Sequence, residues 1–270
     1  MSVQNEQKRV TVTDLRRARR EGRKIACLTA YDAGFARLVD DAGVDVILVG
    51  DSLGMVVQGR ESTVSVTMDD MVYHTRMAAV GRRHALLMAD MPFMSFTDPA
   101  SALRNAARLM QEGGAEMVKL EGGADQVAVV EQLSGHGVPV CAHLGLRPQF
   151  VHKLGGYRVQ GRDAATAEAL RRDARTLAAA GAELLLLECV PASLAAEITE
   201  MVDIPVIGIG AGSACDGQIL VLHDVLGITP GTPPRFSRNF MPGHEGVGDA
   251  LRAYVEAVRE GRFPAPEHGF

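Results

Sequence analysis

Residues 25–50 read IACLTAYDAGFARLVDDAGVDVILVG. Residues 25–30 and 45–50 are short runs that are apolar continuously rather than alternately. Strands buried on both faces of a parallel sheet need that pattern, because neither face meets water. Between them, 32–42 carries a longer amphipathic segment, and Gly43 stops it. Strand, helix and strand in this order form the crossover unit of a parallel sheet.

The unit repeats along the chain. Residues 85–90, 116–121, 138–143, 184–188 and 204–209 are further strand candidates. Thr67 with Asp70 predicts a capped helix through Val80, with Gly81 past its end. Asp98 before Pro99 reads as the cap and first position of another, stopped at Gly113-Gly114. Helices are also expected over 124–133, 164–180 and 191–201, with Gly181 ending the second of these. The run QILVLHDVL at 218–226 suits either a strand or a helix. Counting it as the seventh helix leaves 235–240 as the eighth strand and 247–260 as the last helix. The expectation is α/β: a single (β/α)8 TIM barrel with an extra N-terminal helix capped by Thr13. Residues 1–270 form one catalytic domain in this reading, with 1–24 a helical extension and 262–270 a surface strap.

Composition narrows the function. Hydrophobic residues are 47% and charged residues 23% of 270, which excludes a wholly disordered chain. A net charge of −5 and 4% aromatics, with no Trp, argue against a nucleic-acid binder. No apolar run approaches the roughly 18 residues of a membrane span, and no secretory signal opens the chain. The four cysteines (Cys27, Cys141, Cys189, Cys215) form no C-x-x-C pair and read as packed thiols of a cytoplasmic protein.

Active sites of such barrels lie at the C-terminal strand ends. There the apolar runs finish in Asp51-Ser52, Asp90, Lys119-Leu-Glu121, His143 and Glu188. Only four of the 28 basic residues are lysines, so Lys119 inside an apolar strand is conspicuous. It stands two residues before Glu121, and the period of two points both into the barrel. Several carboxylates in one mouth repel unless cations sit among them, and one ammonium cannot balance four. An all-oxygen donor set without a His or Cys cluster favours Mg²⁺ over zinc. Taken singly, a strand-ending Asp also serves as a helix cap, and His143 as a hydrogen-bonded rim residue. Glu188 follows four leucines, surroundings that raise a carboxyl pKa and suit a general base. Gly208–Gly212 fits a phosphate-cradling loop or a tightly packed turn equally well. Met55, Met88, Met91, Met94 and Met117 read as core filler.

Together VGDSLGM (49–55), ADMPF (89–93), MVKLEGG (117–123), CAHLGL (141–146), GGYRVQGR (155–162), LLECVP (186–191) and IGIGAG (207–212) resemble the ketopantoate hydroxymethyltransferases. The resemblance runs in order from about Val10 to Phe270. It implies a Mg²⁺-dependent barrel enzyme of pantothenate biosynthesis. Such an enzyme moves a one-carbon unit from 5,10-methylenetetrahydrofolate to α-ketoisovalerate through an enolate. By the same resemblance Asp51, Asp90 and Glu121 are the metal site, and Asp51, Ser52, Asp90 and Lys119 contact the keto acid. Glu188 is the proton acceptor, and His143 orients the substrate or the groups around it. A homo-oligomer is implied, a decamer of two five-subunit rings. The competing readings are a Mg²⁺-dependent keto-acid lyase or mutase of the isocitrate-lyase kind, a sugar-phosphate enzyme, and a non-catalytic barrel.

Overall fold

The computed structural model describes residues 8–270. Eight strands pair in parallel, in chain order, and close into a barrel. They are β1 (Ile25–Thr29), β2 (Val46–Val49), β3 (Leu86–Asp90), β4 (Met117–Glu121), β5 (Val140–Gly145), β6 (Leu184–Glu188), β7 (Val206–Ile209) and β8 (Gly217–Leu220). Every strand residue is buried except Glu188, which ends β6 partly open to the barrel mouth. The continuous apolar runs therefore mean what they predicted: one face fills the barrel and the other packs beneath the surrounding helices.

The eighth strand is not 235–240. It lies at Gly217–Leu220, overlapping the start of the run counted as the seventh helix, and only Leu222–Leu226 of that run is helical. Periodicity cannot separate these states in a short apolar run; barrel closure does. At the seam Ile25 pairs with Gly217, where a Cβ would lie 2.4 Å from the Ile25 carbonyl oxygen. Glycine is what permits that approach. Residues 210–216 thus lead from β7 into β8 with no helix between them. Tyr254, on the helix Val247–Arg259, stitches the seam from outside by donating its hydroxyl to Cys27 O at 2.7 Å and Gln218 O at 3.3 Å. Phe240, at the end of the segment misread as a strand, packs edge-on against Tyr254 and Phe263.

The floor of the barrel is the N-terminal helix, Val12–Arg20. Its cap is Thr11 rather than Thr13, because Asp14 stands three residues on and closes a reciprocal capping box with Thr11. Leu15 and Ala18 are buried, Arg16 pairs with Glu183 at 2.6 Å, and Arg19 donates to the carbonyls of Thr199 (2.8 Å) and Ile204. Those acceptors precede β6 and β7, so the helix crosses the end opposite the mouth. The Thr67–Asp70 box and the Asp98 cap before Pro99 are present as expected. Gly81 is the last residue of the helix Met68–Gly81 instead of lying beyond it. There a Cβ would meet Ala33 O at 2.2 Å, so it is the close neighbouring helix Ala33–Asp41 that requires glycine.

Asp40 fixes the entry to β3. Its buried carboxylate accepts from the backbone N–H groups of Arg83 (3.0 Å), His84 (3.0 Å) and Ala85 (2.7 Å). Asp40→Ala leaves three donors without this acceptor, and the one at Ala85 is fully buried. A loss of about 2 kcal/mol is expected in urea denaturation. A change below about 0.5 kcal/mol would mean that water replaces the carboxylate.

All four cysteines are buried and free. Met88, Met91 and Met117 are core, but Met55 lines the barrel mouth and Met94 is 65% exposed on the loop after β3. These two depart from the core-filler reading because both lie beyond the strand ends, where the chain has left the barrel wall. The C-terminal segment is anchored by buried Phe263 and by Ala192 N–H donating to Phe270 O at 3.0 Å.

Candidate active site

The strand ends deliver their polar side chains to one place. Asp51 follows β2, Asp90 ends β3, Lys119 and Glu121 belong to β4, His143 to β5 and Glu188 to β6. All six, with Ser52, line one cavity of about 560 Å³ at the C-terminal mouth. Residue for residue, the set read from the sequence converges. Lys119 and Glu121 both face inward, as their spacing requires.

Four of these side chains form a row across four consecutive strands. Lys119 Nζ lies 2.7 Å from Asp90 Oδ1 and 3.3 Å from His143 Nδ1, and His143 Nε2 lies 3.2 Å from Glu188 Oε2. An ammonium can only donate, so Nδ1 accepts and the neutral ring carries its proton on Nε2, toward Glu188. Burial and the Lys119 and Arg147 charges hold the imidazole well below its ordinary pKa, which agrees with a neutral ring.

Burial also governs the acids. It pushes the Glu188 carboxyl up to about 8; Lys119 opposes that shift, while Asp51 and Asp90 add to it. Asp51 and Glu121 are raised for the same first reason, with Asp90 next for Asp51, and Asp51 next for Glu121. Burial disfavours the Lys119 ammonium too, but Asp90, Glu121 and Asp51 outweigh it and keep the lysine protonated. The mouth thus holds more acid than its one internal cation balances.

That surplus bears on a metal. Among the described residues no three His, Cys, Asp or Glu side chains converge as a ready-made cage. Mg²⁺ does not ask for one: it is commonly held by one or two carboxylates, with water and substrate oxygens completing its shell. Asp51 and Asp90 are adjacent, since Asp51 N–H donates to Asp90 Oδ2 at 2.9 Å, and buried Glu121 Oε1 has no hydrogen-bond partner. The donor set fits a hard divalent cation.

Sequence reading missed three neighbours. Buried Gln149 bridges Asp51 and Glu121, and Tyr31 OH lies 2.9 Å from Ser52 Oγ. Tyr157, half exposed, lines the outer wall with Arg158, Phe236 and Phe270. Gln149 and the two tyrosines carry no charge, so a reading for charges at strand ends passes over them, although Tyr31 follows the run 25–30 and Tyr157 lies within GGYRVQGR. At Gly208–Gly212 the glycines serve packing. A Cβ on Gly212 would meet Ala192 Cβ at 2.6 Å, and one on Gly210 would meet Phe236 and Phe270 at 3.1 Å. No helix begins at this loop, so it lacks the helix N-terminus of an anion site.

A closed parallel barrel with a buried, acid-rich mouth arranged around one lysine belongs to the α/β-barrel enzymes. Its fold is that of a phosphonopyruvate hydrolase (TM-score 0.60, 15% identity, 92% of this chain and 84% of that one). It is equally that of a phosphoenolpyruvate phosphomutase from Streptomyces platensis subsp. rosaceus (TM-score 0.59, 14% identity, 78% and 82%). At such identities the likeness is one of fold alone. The chain belongs to the ketopantoate hydroxymethyltransferase family, which it matches over residues 9–266. It is 64% identical over 261 residues to the 3-methyl-2-oxobutanoate hydroxymethyltransferase of Halorhodospira halophila, covering 97% of this chain and 94% of that protein. With the enzyme of the same name from Nitrosomonas europaea it shares 56% over 268 residues, 99% of each.

Proposed function

We propose that the protein transfers the one-carbon unit of 5,10-methylenetetrahydrofolate to C3 of α-ketoisovalerate (3-methyl-2-oxobutanoate), forming ketopantoate for pantothenate and coenzyme A synthesis. The observation that carries the reading is that Glu188 opens into the same cavity as Asp51, Asp90 and Lys119. A base thereby faces the groups suited to an α-keto acid. Family membership supports it and sets the lyase and mutase reading aside, since that likeness extends to fold only.

Asp51 and Asp90, with Glu121 beside them, would hold Mg²⁺. When bound, the ion supplies Lewis-acid stabilisation of charge on the keto oxygen. Lys119 offsets the substrate carboxylate, and the Ser52 hydroxyl, held by Tyr31, donates to it. Glu188 takes the C3 proton. His143 Nε2 stands 3.2 Å from the Glu188 carboxylate without forming a hydrogen bond in this structure, and Lys119 sets the tautomer of that ring. Water releases the methylene carbon from the folate at the formaldehyde level, both of its carbon–nitrogen bonds breaking as the two nitrogens take up the water's hydrogens. The carbanionic C3 attacks that carbon, and the resulting alkoxide takes the proton held by Glu188. The outer wall around Tyr157, Arg158 and Phe270 leaves room for the larger cosubstrate.

The wider reading is one catalytic unit over 1–270, cytoplasmic, working as a decameric homo-oligomer. No described helix is long and apolar enough to cross a membrane. Tyr73 and Val80 on the helix Met68–Gly81, and Phe93 and Met94 after β3, supply exposed apolar surface for self-association, which sedimentation would read.

Proton NMR of α-ketoisovalerate in D₂O, with and without Mg²⁺ and then with the folate, tests the function. Metal-dependent loss of the C3 signal followed by ketopantoate formation is the expected result. No ketopantoate with all components present overturns the proposal. A second measurement addresses the base. In protein free of divalent cation, the Glu188 carboxyl carbon is expected to titrate near pH 8 by ¹³C NMR, far from an ordinary glutamate near 4.5. The folded state then binds this proton more tightly than the unfolded state. This group's contribution to stability therefore falls as pH rises from about 4.5 through 8. A midpoint below 6 would mean that the site is wetter than its burial indicates.

A further inference from the structure

We propose that Gln149 is a positioning residue, the strut that sets where the Asp51 carboxylate stands relative to Glu121 and the loop after β3. The inference rests on the reading above that Asp51 takes part in holding the divalent cation and keto acid. Gln149 lies in the turn Pro148–Phe150 that follows β5, across the mouth from β2, and is 4% exposed. Its side-chain nitrogen donates to Asp51 Oδ2 at 2.8 Å and to the Met91 carbonyl at 3.0 Å. Both partners are acceptors, so only the NH₂ end of the amide can face them, and its two hydrogens are both used. The backbone N–H of the same residue donates to Glu121 Oε2 at 3.0 Å. One residue therefore ties the ends of β2 and β4 to the loop beyond β3.

The turn that carries it is braced. Arg147 lies 4.0 Å over the Phe150 ring, flanking Gln149 on both sides in sequence. With one Asp51 oxygen engaged by the amide, the carboxylate cannot rotate freely, and its other oxygen keeps one direction. The Glu121 contact uses the backbone and survives any side-chain change. A substitution at 149 therefore removes the side chain's hold on Asp51 and on the Met91 carbonyl and leaves the Glu121 contact in place.

The test is Gln149→Met, which keeps length and volume without a donor. Beside it stands Gln149→Glu, which keeps shape but turns a second carboxylate toward Asp51. Each is compared with wild type by Mn²⁺ binding (electron paramagnetic resonance, with α-ketoisovalerate present), by thermal melting and by KM against kcat. The expected result is a 10–100-fold weaker Mn²⁺ affinity in Gln149→Met. It should come with a raised KM for the keto acid and a modestly lowered melting temperature, because the Met91 carbonyl also loses its donor. Gln149→Glu should fail to recover the affinity although it restores a polar side chain. Unchanged Mn²⁺ affinity in either folded variant overturns the strut. Lowered melting with unchanged affinity and KM does so too, by assigning Gln149 to stability alone. Wild type that takes up no Mn²⁺ would overturn the metal reading itself along with this one.

Discussion

Glu188→Gln is expected to bind α-ketoisovalerate and divalent cation as the wild type does, while exchanging the C3 proton roughly 10²–10⁴-fold more slowly. The substitution keeps shape and burial but removes the basic oxygen. His143 Nε2 makes no hydrogen bond to position 188, so the substitution breaks none there, and the ring's tautomer is set from the other side by Lys119 at 3.3 Å from Nδ1. The effect should therefore fall on kcat and on isotope exchange, with KM nearly unchanged. The readout is loss of the C3 proton signal in D₂O, with ligand binding followed separately by calorimetry. Undiminished exchange in a variant that still binds the keto acid would remove Glu188 from the proton-transfer role and turn attention to other groups at the mouth.

The residues that were legible in the sequence share a physical trait. Lys119, Glu121 and Glu188 are charges set in or at the end of continuous apolar strands, where desolvation makes an idle charge costly. Their spacing along β4 also told which way two of them point. Gln149 and Tyr31 escaped notice because a neutral amide or phenol is less costly to bury than a charge and so stands out less in an apolar context, and only the closed barrel brings them to Asp51 and Ser52.

The fold was legible for a related reason, and its one topological error is instructive. Seven strands stood out because glycines and helix caps separate them. The eighth was lost because 218–226 has no internal punctuation, and what decides its state is a contact 192 residues distant in the chain, Gly217 against Ile25. Local patterning carries no information about such a contact. The cap at Thr11, by contrast, was available locally: Asp14 three residues on was the signal, and Thr13 has no such partner.

Lys119→Met is expected to cost about 3–5 kcal/mol of stability in urea denaturation without divalent cation, the range for breaking a buried ion pair from one side. Lys119 and Asp90 are both nearly inaccessible, and their atoms approach to 2.7 Å. Removing the ammonium leaves Asp90 buried beside Asp51, Glu121 and Glu188 with no internal cation. The penalty is thus the stranded acid rather than a lost attraction, and this has a checkable consequence. The double variant Asp90→Asn with Lys119→Met should be less destabilised than the two single variants added together, with a coupling of about 0.5–3 kcal/mol. Recovery should be partial, because Asp51 and Glu121 still face the vacated position and both lean on the lysine charge. Additive single effects would mean that water reaches Asp90 once Lys119 is gone. In that case the lysine's place in β4 would answer to the substrate carboxylate and not to the acids around it.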